Sequence, residues 1–271
     1  MEALATASFS LAVIAYTIAS TRFFLDLARR QVTTSTEVPS RFLALGAFFH
    51  ALQIVTASLF THTCPVESLR FALSLAALFL VGVFLILRRG RKLDALGSFV
   101  GPVSLIFLVS AQFVGTTTTP PGISRVMLAF HITANLIGLG FVLLAGGASA
   151  FYVFVDSRLK AKRLGAVGRL PALHVLDRMA YSMLLFGFPL LTFGVISGGM
   201  FFSEIDTTSP ISLVRAALGY AAWCVVAGVL LLRALRGWHG KKSALGTLAG
   251  LLCVSLVLLV YLLRPLMGAS A

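Results

Sequence analysis

Eight apolar stretches, each long enough to cross a bilayer as a helix, set the limits on what this chain can become. About 20 residues at 1.5 Å rise each cover the hydrocarbon core of a membrane. The stretches lie near residues 4–27, 41–61, 70–88, 94–115, 124–155, 175–202, 212–233 and 244–264. The fifth is too long for one perpendicular crossing, so it must tilt, kink or project from the membrane. The expected fold is therefore all-α: a polytopic bundle of eight transmembrane helices with both termini outside, residues 1–271 forming one integral membrane domain. Composition agrees, because 58% of the residues are hydrophobic and only 11% are charged, against about a quarter charged in a soluble domain. That balance excludes a disordered chain, a cytosolic enzyme and a secreted disulfide scaffold.

The formal charge of +13 invites a nucleic-acid reading, and the placement of the charges removes it. Seventeen of the 22 Lys and Arg fall in alternate connections: Arg29, Arg30 and Arg41; Arg88, Arg89, Arg91 and Lys92; six from Arg158 to Arg178; Arg233, Arg236, Lys241 and Lys242. The other side holds Arg70, Arg125, Arg215 and Arg264, balanced by Glu2, Glu67, Glu204 and Asp206. Arg22 lies inside the first span, with Asp26 one turn on as its expected partner. Short-loop bias of this kind orients a membrane protein with the basic loops in the cytoplasm, beside anionic headgroups. The chain is thus placed in the inner membrane of a bacterium, in contact with lipid and not with nucleic acid. The leader Met1-Glu2-Ala3-Leu4 is acidic where a signal peptide is basic, so the first span is read as an anchor that stays.

Chemistry-bearing motifs are few. The three cysteines, Cys64, Cys224 and Cys253, form no CxxC pair, which argues against a disulfide framework or a zinc site. No phosphate loop, G-x-S-x-G elbow or H-E-x-x-H helix is present. No segment between spans is long enough for a soluble catalytic domain, so an enzyme is not expected. Any activity has to come from polar groups at membrane depth, which are costly there and are functional candidates by default.

Two histidines meet that description. His50 sits about 13 Å inside the second span, with Gln53 at i+3 on the same face. His131 lies about 9 Å inside the outer edge of the fifth, with Asn135 at i+4. In each case an amide on the same helix can orient the imidazole. The functional reading makes His50 and His131 metal or haem ligands. The bland reading makes them interhelical hydrogen bonds worth about 1 kcal/mol. His62 is at the outer end of the second span, and His174 and His239 sit among basic residues in the cytoplasmic loops, where solvated side chains are expected. Gly97/Gly101, Gly194/Gly198 and Gly246/Gly250 each form G-x-x-x-G, read here as close helix packing. Phe201 and Phe202 end the sixth span at the outer surface, as interface anchors or as a flat wall for a porphyrin.

Several stretches together resemble a known family. Phe49-His50, then His62-Thr63-Cys64-Pro65 through Glu67-Ser68-Leu69-Arg70-Phe71, is similar to the second-helix histidine and P-x-x-E-S-L-x-F segment of the cytochrome c assembly family, the CcsA and HemX-like membrane proteins. Pro120-Pro121 and Leu128-Ala129-Phe130-His131-Ile132 resemble the segment that carries its outer haem-ligating histidine. Gly187-Phe188 to Gly198 resembles its G-F-x-x-L-T-x-G-x-x-x-G helix, and Arg236-Gly237-Trp238-His239-Gly240-Lys241-Lys242 its G-W-R-G-R-R loop. The order of these matches covers most of residues 40–260. Three departures bear on function. The haem-cradling tryptophan-rich loop is replaced by Phe201 to Pro210, which has no tryptophan. The seventh span ends Leu231-Leu232-Arg233-Ala234-Leu235 without the family's histidine, and the segment Tyr261 to Ala271 lacks the second outer one. His131 is then the outer ligand that carries over.

The resemblance implies haem as cofactor and a role in cytochrome c-type biogenesis, binding or passing haem with an assembly partner subunit or apocytochrome c. The missing tryptophans point toward the HemX-like branch. The alternative from that branch is a regulator acting on a tetrapyrrole biosynthesis enzyme, the one that reduces glutamyl-tRNA. A third reading is a small transporter unrelated to haem, for which the sequence offers no internal repeat. The cofactor-binding set expected is His131, His50, Asn135, Gln53, Phe201 and Phe202, with His131 and His50 on the metal.

Overall fold

A computed structural model describes residues 2–28, 37–61, 69–89, 93–113, 124–162, 171–200 and 210–263. Among them the chain forms eight α-helices and one short 3-10 turn, and no strand. The helices are α1 (Glu2–Ala28), α2 (Glu37–Thr61), α3 (Leu69–Leu87), α4 (Gly97–Phe113), α5 (Arg125–Lys160), α6 (Leu173–Met200), α7 (Pro210–Arg236) and α8 (Lys241–Leu263). All eight are long and apolar enough to cross a membrane. In hydrocarbon every backbone N–H and C=O must find a partner within the protein, and a helix supplies those partners from its own residues.

The observed elements match the expected spans within a few residues; α4 begins at Gly97 after a 3-10 turn, Asp94–Leu96, while α2 and α7 start earlier than expected, on residues that start helices well. Glu37 and Pro39 begin α2, and Pro210 begins α7. Proline is tolerated in the first turn because the N–H it lacks has no intrahelical partner there. The long fifth span resolves as one 36-residue helix, about 54 Å at the usual rise, against about 30 Å of bilayer core. Its last turns carry Asp156, Arg158 and Lys160, with an Asp156–Lys160 ion pair of 2.8 Å, so the excess length is polar.

Side chains sort between the bundle interior and its perimeter. Tyr16, Leu80, Phe84, Leu96, Leu108, Leu144 and Leu176 are fully enclosed, while Phe24, Phe48, Ile86, Phe113, Phe186 and Leu252 point outward. An apolar perimeter of this extent suits lipid and not water. The first half packs α1 on α2 and α4, the second packs α5 on α6 and α8 with α7 against α8, and α3 bridges the halves through α4 and α5. The three G-x-x-x-G pairs all sit at helix contacts, as expected. Gly97 and Gly101 face Phe23 and Ser20 of α1, Gly246 and Gly250 face Val229 and Val226 of α7, and Gly194 and Gly198 face Asn135 and His131 of α5.

One polar knot marks the basic end. Arg233 grips Asp177 through its two terminal guanidinium nitrogens, at 3.0 and 2.8 Å, and stacks 4.2 Å over the Tyr181 ring. The N–H of Gly240, a residue at φ +67° that suits glycine, donates to the same carboxylate at 3.0 Å. The start of α6 and the turn from α7 to α8 are thereby locked together. His174 and His239, near this end, are exposed as expected.

The expected Arg22–Asp26 pair is not formed among the described contacts, although Glu37–Arg41 and Asp156–Lys160 are. Both pairs that form place the acid N-terminal to the base, the favoured order at i,i+4. Arg22 and Asp26 have the reverse order.

Candidate functional site

A cavity of about 440 Å³ lies between α3, α5, α6, α7 and α8. It is bounded near the start of α3 by Ala72, near the start of α5 by Leu128 and His131, near the end of α6 by Gly198, near the start of α7 by Arg215 and near the end of α8 by Leu258. Those helix ends are opposite the Asp177–Arg233 knot. The size falls within the range of about 300–1,000 Å³ usual for small-molecule and cofactor sites, and the walls are mainly apolar, as in such sites. Its polar members are His131, Asn135, Arg215, Tyr220 and Trp223.

The fold assembles the His131 corner from two helices. Asn135, one turn along α5, donates to the His131 backbone carbonyl at 2.9 Å, and its amide nitrogen lies 3.3 and 3.4 Å from the two ring nitrogens. Ser197 of α6 meets His131 Nδ1 at 2.8 Å. Gly194 and Gly198 make the approach possible. A Cβ on Gly194 would run into the Asn135 side chain, and one on Gly198 would stand 3.2 Å from His131 Cε1. The glycine pair read from the sequence as packing is also the notch that holds the imidazole.

On the facing wall α7 presents Ala216, Gly219 and Ala222. A Cβ on Gly219 would meet nothing within 4 Å, so small residues leave the space open. Trp223 closes the inner end, its indole N–H donating to Thr192 Oγ1 at 2.9 Å and its ring stacked on Phe188 at 5.7 Å. Ser197, Tyr220 and Trp223 were absent from the expected set. The signal for Trp223 was its rarity, since the chain has two tryptophans.

The structure does not bring His50 to this site. His50 is fully buried in α2, which packs on α1 and α3, and it is not among the cavity's lining residues. Its Nδ1 lies 3.3 Å from the Tyr16 hydroxyl of α1, and the two rings meet edge-on at 5.9 Å. Tyr16, not Gln53, is the hydrogen-bond partner of the imidazole, and Gln53 Oε1 has no hydrogen-bond partner. Phe201, Phe202, His62 and Cys64 lie outside the described residues.

No group of three or more His, Cys, Asp or Glu that could hold a bare metal ion exists among the described residues. Within the described cavity wall, His131 is the single imidazole, and neither Met nor Cys accompanies it. One nitrogen ligand suits a metal that arrives with most of its coordination already filled, as iron does in a porphyrin. It does not suit a bare ion, which takes three or four protein ligands. The residues present therefore fit haem, whose iron His131 would ligate, and Arg215 places a cation on the same wall.

Comparison with known proteins bears on the same residues. The family model described as cytochrome C assembly protein matches residues 44–268. A cytochrome c biogenesis protein CcsA from Prochlorococcus marinus is 23% identical over 234 residues, 75% of this chain and 74% of that protein. CcsA proteins from Microcystis aeruginosa and Rippkaea orientalis are each 29% identical, over 171 and 192 residues. These alignments take in 63% and 70% of this chain but only 45% and 52% of those proteins, so the chain spans about half the length of these two relatives. No solved structure matches. The family match runs from the early turns of α2 past the end of α8 and takes in every wall of the cavity; the chain is a multi-pass membrane protein and belongs to the cytochrome c assembly protein family.

Proposed function

We propose that this chain is a haem-handling protein of the membrane that supports cytochrome c-type biogenesis, in which His131 would hold the haem iron in the cavity among α3 and α5–α8. The observation that carries this reading is one imidazole opening onto an apolar space of cofactor size, with no cluster for a bare ion among the described residues. Haem, when bound, supplies an iron that takes imidazole nitrogen as a ligand and a flat apolar ring edged by two carboxylates. The chain's residues do the rest. Gly194, Gly198 and Ser197 seat the imidazole, small α7 side chains leave room, Trp223 limits depth, and Arg215 adds positive charge to the wall.

Membership of the family and likeness to CcsA proteins support the direction of use. Haem is held for delivery to an apocytochrome c, with a partner subunit completing the holder, since the chain itself is not an enzyme in this reading. The basic end faces the cytoplasm of a bacterium and the His131 end faces outward across the inner membrane, which fits delivery outside. His50 is left out of the ligand set and acts as a buried packing partner of Tyr16.

Absorption spectroscopy of the purified protein tests this. After haem loading in detergent, the wild type is expected to show a Soret band that His131→Ala removes and His62→Ala keeps. A protein that stays colourless, or a band indifferent to His131→Ala, overturns the assignment.

A further inference from the structure

The cavity is polar toward one end only. Counted along each helix from the His131 end, its deepest wall residues are Ala76 of α3, Leu139 of α5, Leu191 of α6, Trp223 of α7 and Val254 of α8. Four of these five side chains carry no hydrogen-bonding atom. His131 lies eight residues from Leu139 on α5, and Arg215 eight from Trp223 on α7, so both stand about 12 Å from the inner end at the helical rise.

Trp223 is the exception, and its one polar group is committed. An indole carries a single N–H and no acceptor. That N–H donates to Thr192 Oγ1 at 2.9 Å. The threonine hydroxyl in turn donates to the Phe188 carbonyl at 2.8 Å, one turn back on its own helix. Phe188 stacks on the indole at 5.7 Å and 24°, and it is not part of the cavity wall, so it backs the ring from outside the cavity. Thr192 is not part of the wall either. What Trp223 shows to the cavity is therefore carbon. The backbone adds nothing polar, because all five residues lie within helices and their N–H and C=O groups are used there.

We infer that Trp223, fixed by Thr192, makes the inner end of this site admit a ligand by a hydrocarbon edge; for haem, on which reading this rests, that is the edge bearing the vinyl groups, with both carboxylates left toward the His131 end. A carboxylate pushed to the inner end would be buried among groups that cannot pair with it, which is far costlier than leaving it near the helix ends, where the headgroup layer begins. Thr192 is a positioning residue. It keeps the indole N–H turned away from the ligand, and so sets which edge of an amphiphilic ring enters first.

The test uses the full-length protein in detergent and compares two iron porphyrins by titration of the Soret band. One is haem. The other is iron haematoporphyrin, in which each vinyl group is replaced by a hydroxyethyl group and the carboxylates are unchanged. The wild type is expected to bind the hydroxylated porphyrin at least about 10-fold more weakly, because its hydroxyls are buried without partners. Thr192→Val removes the acceptor and frees the indole N–H for a ligand hydroxyl, so it is expected to narrow that ratio to a few-fold. Thr192→Ser keeps the acceptor and is expected to keep the wild-type ratio. Should Thr192→Val fail to fold, Val254→Thr brings an isosteric hydroxyl to the inner end from another helix and is expected to narrow the ratio likewise. A wild type that binds both porphyrins equally overturns the inference and leaves the haem reading standing. A folded Thr192→Val with the wild-type ratio removes Thr192 from the role given to it. A wild type that stays colourless with both porphyrins overturns the haem reading and this orientation together.

Discussion

His50 and His131 carry the same local signature, an imidazole one turn from an amide, and the bundle places them in opposite circumstances. His131 opens onto a cavity and is held by Ser197 from another helix. His50 is sealed between helices, with Tyr16 at Nδ1 and an unpartnered Nε2. Helical spacing reports neighbours on one helix, which is why Asn135 was legible beside His131. The partners that separate the two histidines lie 34 and 66 residues away in the chain, and no period in the sequence connects them. Their difference can be measured. Tyr16→Phe leaves a buried ring nitrogen without its partner, which costs about 1–3 kcal/mol. The variant is expected to unfold at lower temperature in detergent while its haem band keeps wild-type position and intensity. A lost band in Tyr16→Phe would place His50 back in the ligand set.

At the scale of elements, the sequence was most informative where one property runs the length of a helix. Eight apolar runs became eight helices, and the three G-x-x-x-G pairs became three close contacts. The cavity was not legible for the converse reason. Ala216, Gly219 and Ala222 on α7 look like packing residues, and only the position of α7 relative to α5 shows that they border space. Gly194 and Gly219 therefore make opposite predictions. A Cβ at Gly194 collides with Asn135, whereas one at Gly219, on the cavity wall, meets nothing within 4 Å. Gly219→Leu is expected to fold and to melt at or slightly above the wild-type temperature, since replacing a helical glycine is worth about 0.5–1 kcal/mol. Its haem band is expected to be lost, because the leucine occupies the site. Retained haem in a folded Gly219→Leu would show that the ligand sits elsewhere.

The whole molecule is polarised, and its function depends on which way that polarity points. The described basic residues at the ends of α3, α5 and α7 and the starts of α6 and α8 lie on the side where Arg233 and Gly240 clamp Asp177, and the His131 cavity opens at the other. Sequence charge alone assigned the sides; the contacts among α5, α6, α7 and α8 show that the two features occupy opposite ends of the bundle. Haem delivery to an outer acceptor requires the cavity end to face outward, so the orientation carries mechanistic weight. Single cysteines in a cysteine-free background can read it. Ala161 lies just past the end of α5, on the basic side, and Ala3 near the start of α1, on the cavity side; both are exposed. In right-side-out vesicles a membrane-impermeant maleimide is expected to label Ala3→Cys and to leave Ala161→Cys unreacted, and inside-out vesicles should reverse the pattern. The reverse result in both preparations would turn the His131 end toward the cytoplasm. Haem held there would meet biosynthetic enzymes rather than an exported apocytochrome, and the delivery role would give way to a regulatory one on the same imidazole.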